Sequence, residues 1–123
     1  MCYKPLRLRG LKEIHWRGNS RQIAHGFPKG VRVKLGKELT RVQMGLQPRD
    51  GRWLTGVGDH VQEVRVAHDK GAYRVIFVAI FSEAVHVLHV FQKKSKTGKA
   101  TPQSELDLAA RRYRELVKER LES

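Results

Sequence analysis

Three stretches of the chain hold the residues best suited to chemistry on an anion. In "EVRV" Glu63 and Arg65 stand two positions apart, so on a strand both point to one face. In "GAYRVIFVAIF" (71–81), Arg74 opens a row otherwise made of Ile76, Val78 and Ile80, while Tyr73 and Phe77 belong to the other face. In "VHVLHVFQKKSKTGKATP" (85–102), an apolar-polar alternation runs through Phe91 into Lys93, Lys94, Lys96 and Lys99. Where register brings Arg65 beside Arg74, two guanidiniums form a phosphate clamp. Opposed like charges cost stability, so such a pair is a poor scaffold element. With the lysines at the strand end, and Tyr73 and Phe91 available for base stacking, the inventory is that of an RNA-binding site.

Each feature also has a plainer reading. Arg74 can snorkel to water or pair with Glu63. The lysine run can be a solvated loop, and Tyr73, opposite Arg74, can be core. Glu63 can act as a general base or as half of a salt bridge. Among the histidines, His86 and His89 are three positions apart, which on a regular strand puts them on opposite faces. His60 and His68 fall in or beside turns, and His15 and His25 fit no pattern. His89 or His60 as an acid or base stands against a merely buried or exposed imidazole. There is no HExxH, no CxxC and no carboxylate cluster at ligand spacing, so neither a metal nor another cofactor is expected.

These residues need elements to position them. "LKEIHW" (11–16) reads as a short strand. Asn19 or Ser20 can cap a short helix that runs through Ile23 and stops at Gly26. Val31, Leu35, Leu39, Val42 and Leu46 form one stripe of an amphipathic helix over about 29–46, with Arg32, Lys34, Lys37 and Arg41 on its other side. Residues 47–60 are turn chemistry. Strands follow at 61–67, 71–81 and 84–92, joined so tightly that an antiparallel meander is expected. Thr101 and Pro102 open a last helix, along which Leu106, Ala109, Tyr113, Leu116 and Leu121 line one face. The order β-α-α-β-β-β-α is an α+β fold: a small antiparallel sheet with two N-terminal helices packed on it and a C-terminal helix. The sheet's second face could stay open as a platform.

At 123 residues a single domain (1–123) is expected, with 1–10 as a disordered extension. Twenty-five Lys and Arg against twelve Asp and Glu leave a net charge of +13, which concentrates polyanions around the protein. Nucleic acid leads as partner, ahead of an anionic membrane surface or an acidic protein. The lone Cys2 cannot make an internal disulfide, and no apolar run approaches the ~20 residues of a membrane span. A cytoplasmic protein without a membrane association is expected.

The run from "LKEIHWRGNS" through "GVGDHVQEVRV" and "GAYRV" to "VLHVFQKKSKTGKATP", over about residues 11–117, resembles the phage-derived branch of the RelE/HigB toxins of type II toxin-antitoxin systems. The resemblance implies a small antiparallel sheet, two N-terminal helices on it and a mobile C-terminal helix. It further implies a metal-independent endoribonuclease that cuts mRNA on the translating ribosome by 2′-OH attack, leaving a 2′,3′-cyclic phosphate. The implied partners are mRNA, the ribosome and a cognate antitoxin with a helix-turn-helix domain. On this pattern Arg65 and Arg74 hold the phosphate, and Lys93 or Lys94 stabilises charge or carries the proton. Glu63 is an alternative base, and Tyr73, Phe91, Lys96 and Lys99 contact RNA. The chain departs from better-known toxins in lacking their additional lysine, or His-Asp pair, and any catalytic Tyr or His near the C-terminus beyond Tyr113. A non-catalytic basic module that binds nucleic acid or a partner, including a degenerate phage remnant, is the competing function.

Overall fold

A computed structural model describes residues 11–69, 71–93 and 100–122. In chain order the elements are β1 (Glu13–Trp16), α1 (Ser20–His25), α2 (Lys29–Gln43), β2 (Gly51–Trp53), β3 (Val61–His68), β4 (Gly71–Val78), β5 (Ala84–Lys93) and α3 (Gln103–Glu122). The strands form one five-stranded sheet in the order β1-β5-β4-β3-β2. The meander from β3 to β5 is antiparallel, as its short connections require.

Two features correct the expected sheet. β1 pairs parallel to β5, so the sheet is mixed. A parallel neighbour needs a long crossover; here α1, α2 and the meander carry the chain to the far edge and back before β5 returns beside β1. The second is β2, which pairs antiparallel with β3 inside the segment read as turn. Three residues among Asp-Gly and Gly-Val-Gly turns show no periodicity to read.

Each sheet face is packed. Val31, Leu35, Leu39 and Val42 of α2 are buried against Val64, Val66, Tyr73, Val75, Val87 and Val90. Each such side chain contributes about 1.5–3 kcal/mol of transfer free energy. Leu46 does not extend the stripe: α2 ends at Gln43, Gly45 adopts φ +85°, and Leu46 is exposed. The opposite face is not an open platform. Val61, Ile76, Val78, Leu88 and Phe91 lie under Ala109, Ala110 and Leu116 of α3.

A β-bulge in β5 also corrects the histidine geometry. Ile76 pairs with His89 but Phe77 pairs with Val87, leaving Leu88 as the extra residue. One inserted residue flips the alternation, so His86 and His89 both lie on the α3 side. There His86 Nε2 meets Glu83 at 3.0 Å and His89 Nε2 meets Glu105 at 2.7 Å.

α3 is docked by more than its apolar stripe. Arg112, buried, reaches through to the Leu88 carbonyl at 2.9 Å and to Asn19 Oδ1 at 2.8 Å. Its guanidinium lies over Gly18, where a Cβ would stand 2.5 Å from Arg112 Cζ and where φ is +57°. Only glycine leaves room for that side chain. Asn19 therefore binds Arg112 rather than capping α1. At the helix end Arg120 pairs with Glu83 and holds its carboxyl down to about 2. Leu121, expected on the buried face, is exposed.

Candidate functional site

Strand alternation and register gather one set of polar side chains on the α3 face of the sheet. Arg65 and Arg74 are direct cross-strand partners. Phe91 stands beside Arg74, and Lys93 beside Ala72, one step along the same face. On the other flank Arg52 of β2 stands opposite Glu63.

Glu63 lies at the centre and is fully enclosed. Its Oε1 accepts hydrogen bonds from Arg74 Nη1 at 2.9 Å and Arg52 Nε at 3.0 Å. Its Oε2 accepts one from Thr101 Oγ1 at 2.5 Å, and Arg52 Nη2 in turn donates to that Thr101 oxygen at 3.1 Å. A buried charge needs such partners, because an unpaired carboxylate away from water costs several kcal/mol. Both oxygens are engaged and the group is fully buried, so Glu63 is not exposed to a substrate hydroxyl. The geometry makes it a brace for the arginines rather than an exposed base.

The cations differ in what they can reach. Arg74 is 2% exposed and its Nε has no hydrogen-bond partner among the described residues. Arg65 is half-buried and pairs with no described carboxylate. Lys93 is 7% exposed. Burial first, then the positive charges of Arg74, Arg65 and Arg52, push its ammonium below the ordinary lysine value, while Glu63 pulls the other way. The arrangement concentrates positive potential around one partly desolvated amine. Such a group can hold a phosphate and gives up its proton more readily than an ordinary lysine.

The expected stacking residues are not presented here. Tyr73 is buried on the opposite face against Phe27, ring centroids 4.9 Å apart. Phe91 is buried under α3, stacked on His89 at 5.4 Å. In both cases a core position outranks exposure, because an aromatic ring on a covered face is worth more buried. Lys94, Lys96 and Lys99 lie outside the described residues. His60, beside Trp53 at the far edge, and His89, held by Glu105, are not among the groups around Glu63. Among the described residues no three His, Cys, Asp or Glu side chains are placed to hold a metal ion.

Arg52 and Thr101 are the members that sequence reasoning missed. Arg52 sits in a strand too short to show a period, and Thr101 reads as a helix cap. The weak signal for Arg52 was its place directly after the Asp50-Gly51 turn pair, where a strand can start.

No helix of the described residues is long and apolar enough to cross a membrane. Comparison with curated protein sequences finds no match. Among solved structures, the E. coli toxin RelE, determined in the free state as a double arginine-to-alanine variant, superposes with a TM-score of 0.59 at 18% identity, covering 83% of this chain and 97% of that one. At that identity the likeness is one of fold. The model of the family described as "Phage derived protein Gp49-like (DUF891)" matches residues 24–114, which take in Arg52, Glu63, Arg65, Arg74 and Lys93. The chain belongs to this Gp49-like family of phage-derived proteins, and its α+β architecture is that of the RelE toxin.

Proposed function

We propose that this protein is the toxin of a type II toxin-antitoxin pair and an endoribonuclease that cleaves mRNA on the ribosome. The observation that carries the reading is Lys93, an amine of lowered proton affinity set beside Arg65 and Arg74 on a RelE-like sheet. Cleavage needs a base for the ribose 2′-hydroxyl, stabilisation of the dianionic phosphorane, and a proton for the departing 5′-oxygen. Lys93, in its neutral form, takes the 2′-hydroxyl proton as the 2′-oxygen bonds to phosphorus. Arg65, the more accessible guanidinium, binds the phosphate, and Arg74 behind it adds charge that strengthens as the phosphorane forms. The P–O5′ bond breaks to leave the 2′,3′-cyclic phosphate, and Lys94, the next cation in the chain, supplies the 5′-oxygen's proton. Glu63 keeps Arg74 and Arg52 in place. No step in this scheme needs a metal or cofactor. The protein partner is an antitoxin with a helix-turn-helix domain, which would be encoded beside this gene.

The test is to map mRNA 5′ ends by primer extension with purified protein, with and without translating ribosomes, for wild type and for Arg65→Ala. Arg65 makes a better control than Arg74 because its removal breaks no buried ion pair. In-frame cuts that require ribosomes and vanish in Arg65→Ala are expected. A folded wild-type protein that binds RNA but cuts nothing in either condition would make the site a binding surface instead.

A further inference from the structure

One flank of α2 carries Lys34, Lys37 and Arg41, spaced three and four residues apart, which a helix stacks in a single row about 10 Å long. Arg49, in the loop that follows, stands beside them, and these four with Glu38 line one open concavity. Every described residue lining it is charged. Like charges three and four positions apart destabilise a helix, a cost that Glu38, four residues after Lys34 and three before Arg41, offsets only in part. Glu38, the carboxylate within it, accepts the Arg49 backbone N–H at 2.7 Å.

The row is tied to the strand that bears the candidate site. Lys34 Nζ donates to the Ala67 carbonyl of β3 at 2.8 Å, and Arg41 Nε donates to the Gln47 carbonyl at 3.1 Å. Two residues before Ala67, the Arg65 N–H donates to the Asp50 carbonyl at 3.0 Å, immediately after Arg49 in the chain. Hydrogen bonds to backbone groups thus link the α2 flank, through Arg49 and the exposed Asp50, to the strand position of Arg65, whose side chain lies on the other sheet face. The buried centre of a protein interface is rich in apolar and aromatic side chains, and none lines this concavity among the described residues. A phosphodiester backbone needs only spaced cations.

We infer that this flank of α2 is a track for the RNA backbone outside the cleavage site, so that a strand bound at Arg65 runs on over the β3 edge. The inference rests on the RNA-cleaving reading for its ligand. The probe is labelled 2′-O-methyl RNA, whose blocked hydroxyl prevents cleavage, at lengths of about four and about twelve nucleotides, titrated by fluorescence anisotropy over a salt series. Each phosphate neutralised on a single strand contributes about 0.7 to the slope of log K against log salt. Lys34→Gln, Lys37→Gln and Arg41→Gln together should lower the slope for the longer RNA by about 2. Binding of the shorter one should not change. Lys37→Glu, which breaks none of the hydrogen bonds named above, should lower the long-RNA slope alone and guards against a folding artefact in the triple variant. Unchanged slopes in both variants, or equal losses on both lengths, overturn the track. If Arg65→Ala weakens binding of both RNAs and the triple variant lowers the long-RNA slope while primer extension finds no cleavage, the track stands and the catalytic reading fails. Absence of any binding by the wild type overturns both.

Discussion

Replacing Arg74 by alanine tests whether Glu63 depends on it. Both partners are buried, Arg74 at 2% exposure and Glu63 at 0%, and they meet at 2.9 Å. Removing one side of such a pair costs about 3–5 kcal/mol, mostly because the remaining charge is left without compensation. Here Arg52 and Thr101 stay on the Glu63 carboxylate, so the lower end, about 3 kcal/mol, is expected. A chain of 123 residues has an expected stability of about 6–18 kcal/mol, so the variant should fold but melt about 12 °C lower. Urea unfolding followed by circular dichroism measures the loss directly. Adding Glu63→Gln should cost less than the sum of the single changes, because the buried charge goes with its partner. A loss below about 1 kcal/mol for Arg74→Ala would refute the reasoning. It would mean that Arg52 and Thr101 suffice for Glu63 and that Arg74 belongs wholly to the phosphate. Any loss of cleavage in this variant must therefore be read beside its melting curve.

Lys93→Arg keeps the charge but removes a group able to lose its proton, so RNA binding should persist while single-turnover cleavage falls at least a hundredfold, about the contribution of a positioned base. In the wild type the cleavage rate should rise with pH and level off below the ordinary lysine range, since the Lys93 pKa is lowered; a flat profile would exclude Lys93 as base. His86 and His89 are both held below the ordinary imidazole value, chiefly by burial. Below about pH 6.5 the unfolded chain takes up protons that the folded protein does not, so stability should fall from there toward the folded pKa values, and urea midpoints in His89→Gln should fall less steeply. Arg112→Ala should cost about 2–3 kcal/mol through the lost bonds to Leu88 and Asn19, and hydrogen exchange should quicken first in α3.

Much of the fold could be read along the chain because it depended on local periodicity. The stripe Val31, Leu35, Leu39 and Val42 announced α2, and the Val-rich runs announced β3, β4 and β5. The sequence left the pairing of Arg65 with Arg74 to register, and the short β3–β4 connection sets that register so that the two meet. Alternation failed where one residue was inserted: the Leu88 bulge moved His86 and His89 to the same face. Its one trace in the sequence is the adjacent apolar pair Val87-Leu88, where the alternation Val-His-Val restarts as Leu-His-Val.

By itself the sequence determined the class of fold, the excess of positive charge and the strand positions of Glu63, Arg65, Arg74 and Lys93. These follow from residue type and nearest-neighbour geometry, which the chain carries with it. Tertiary structure decided what those residues can do. It closed α3 over the second sheet face, buried Tyr73 and Phe91, set Arg52 of the neighbouring strand beside Glu63 and brought Thr101, 38 residues away, onto it. Contacts between segments separated by dozens of residues depend on how layers pack, and burial then sets which charges stay exposed, which are neutralised and which give up a proton.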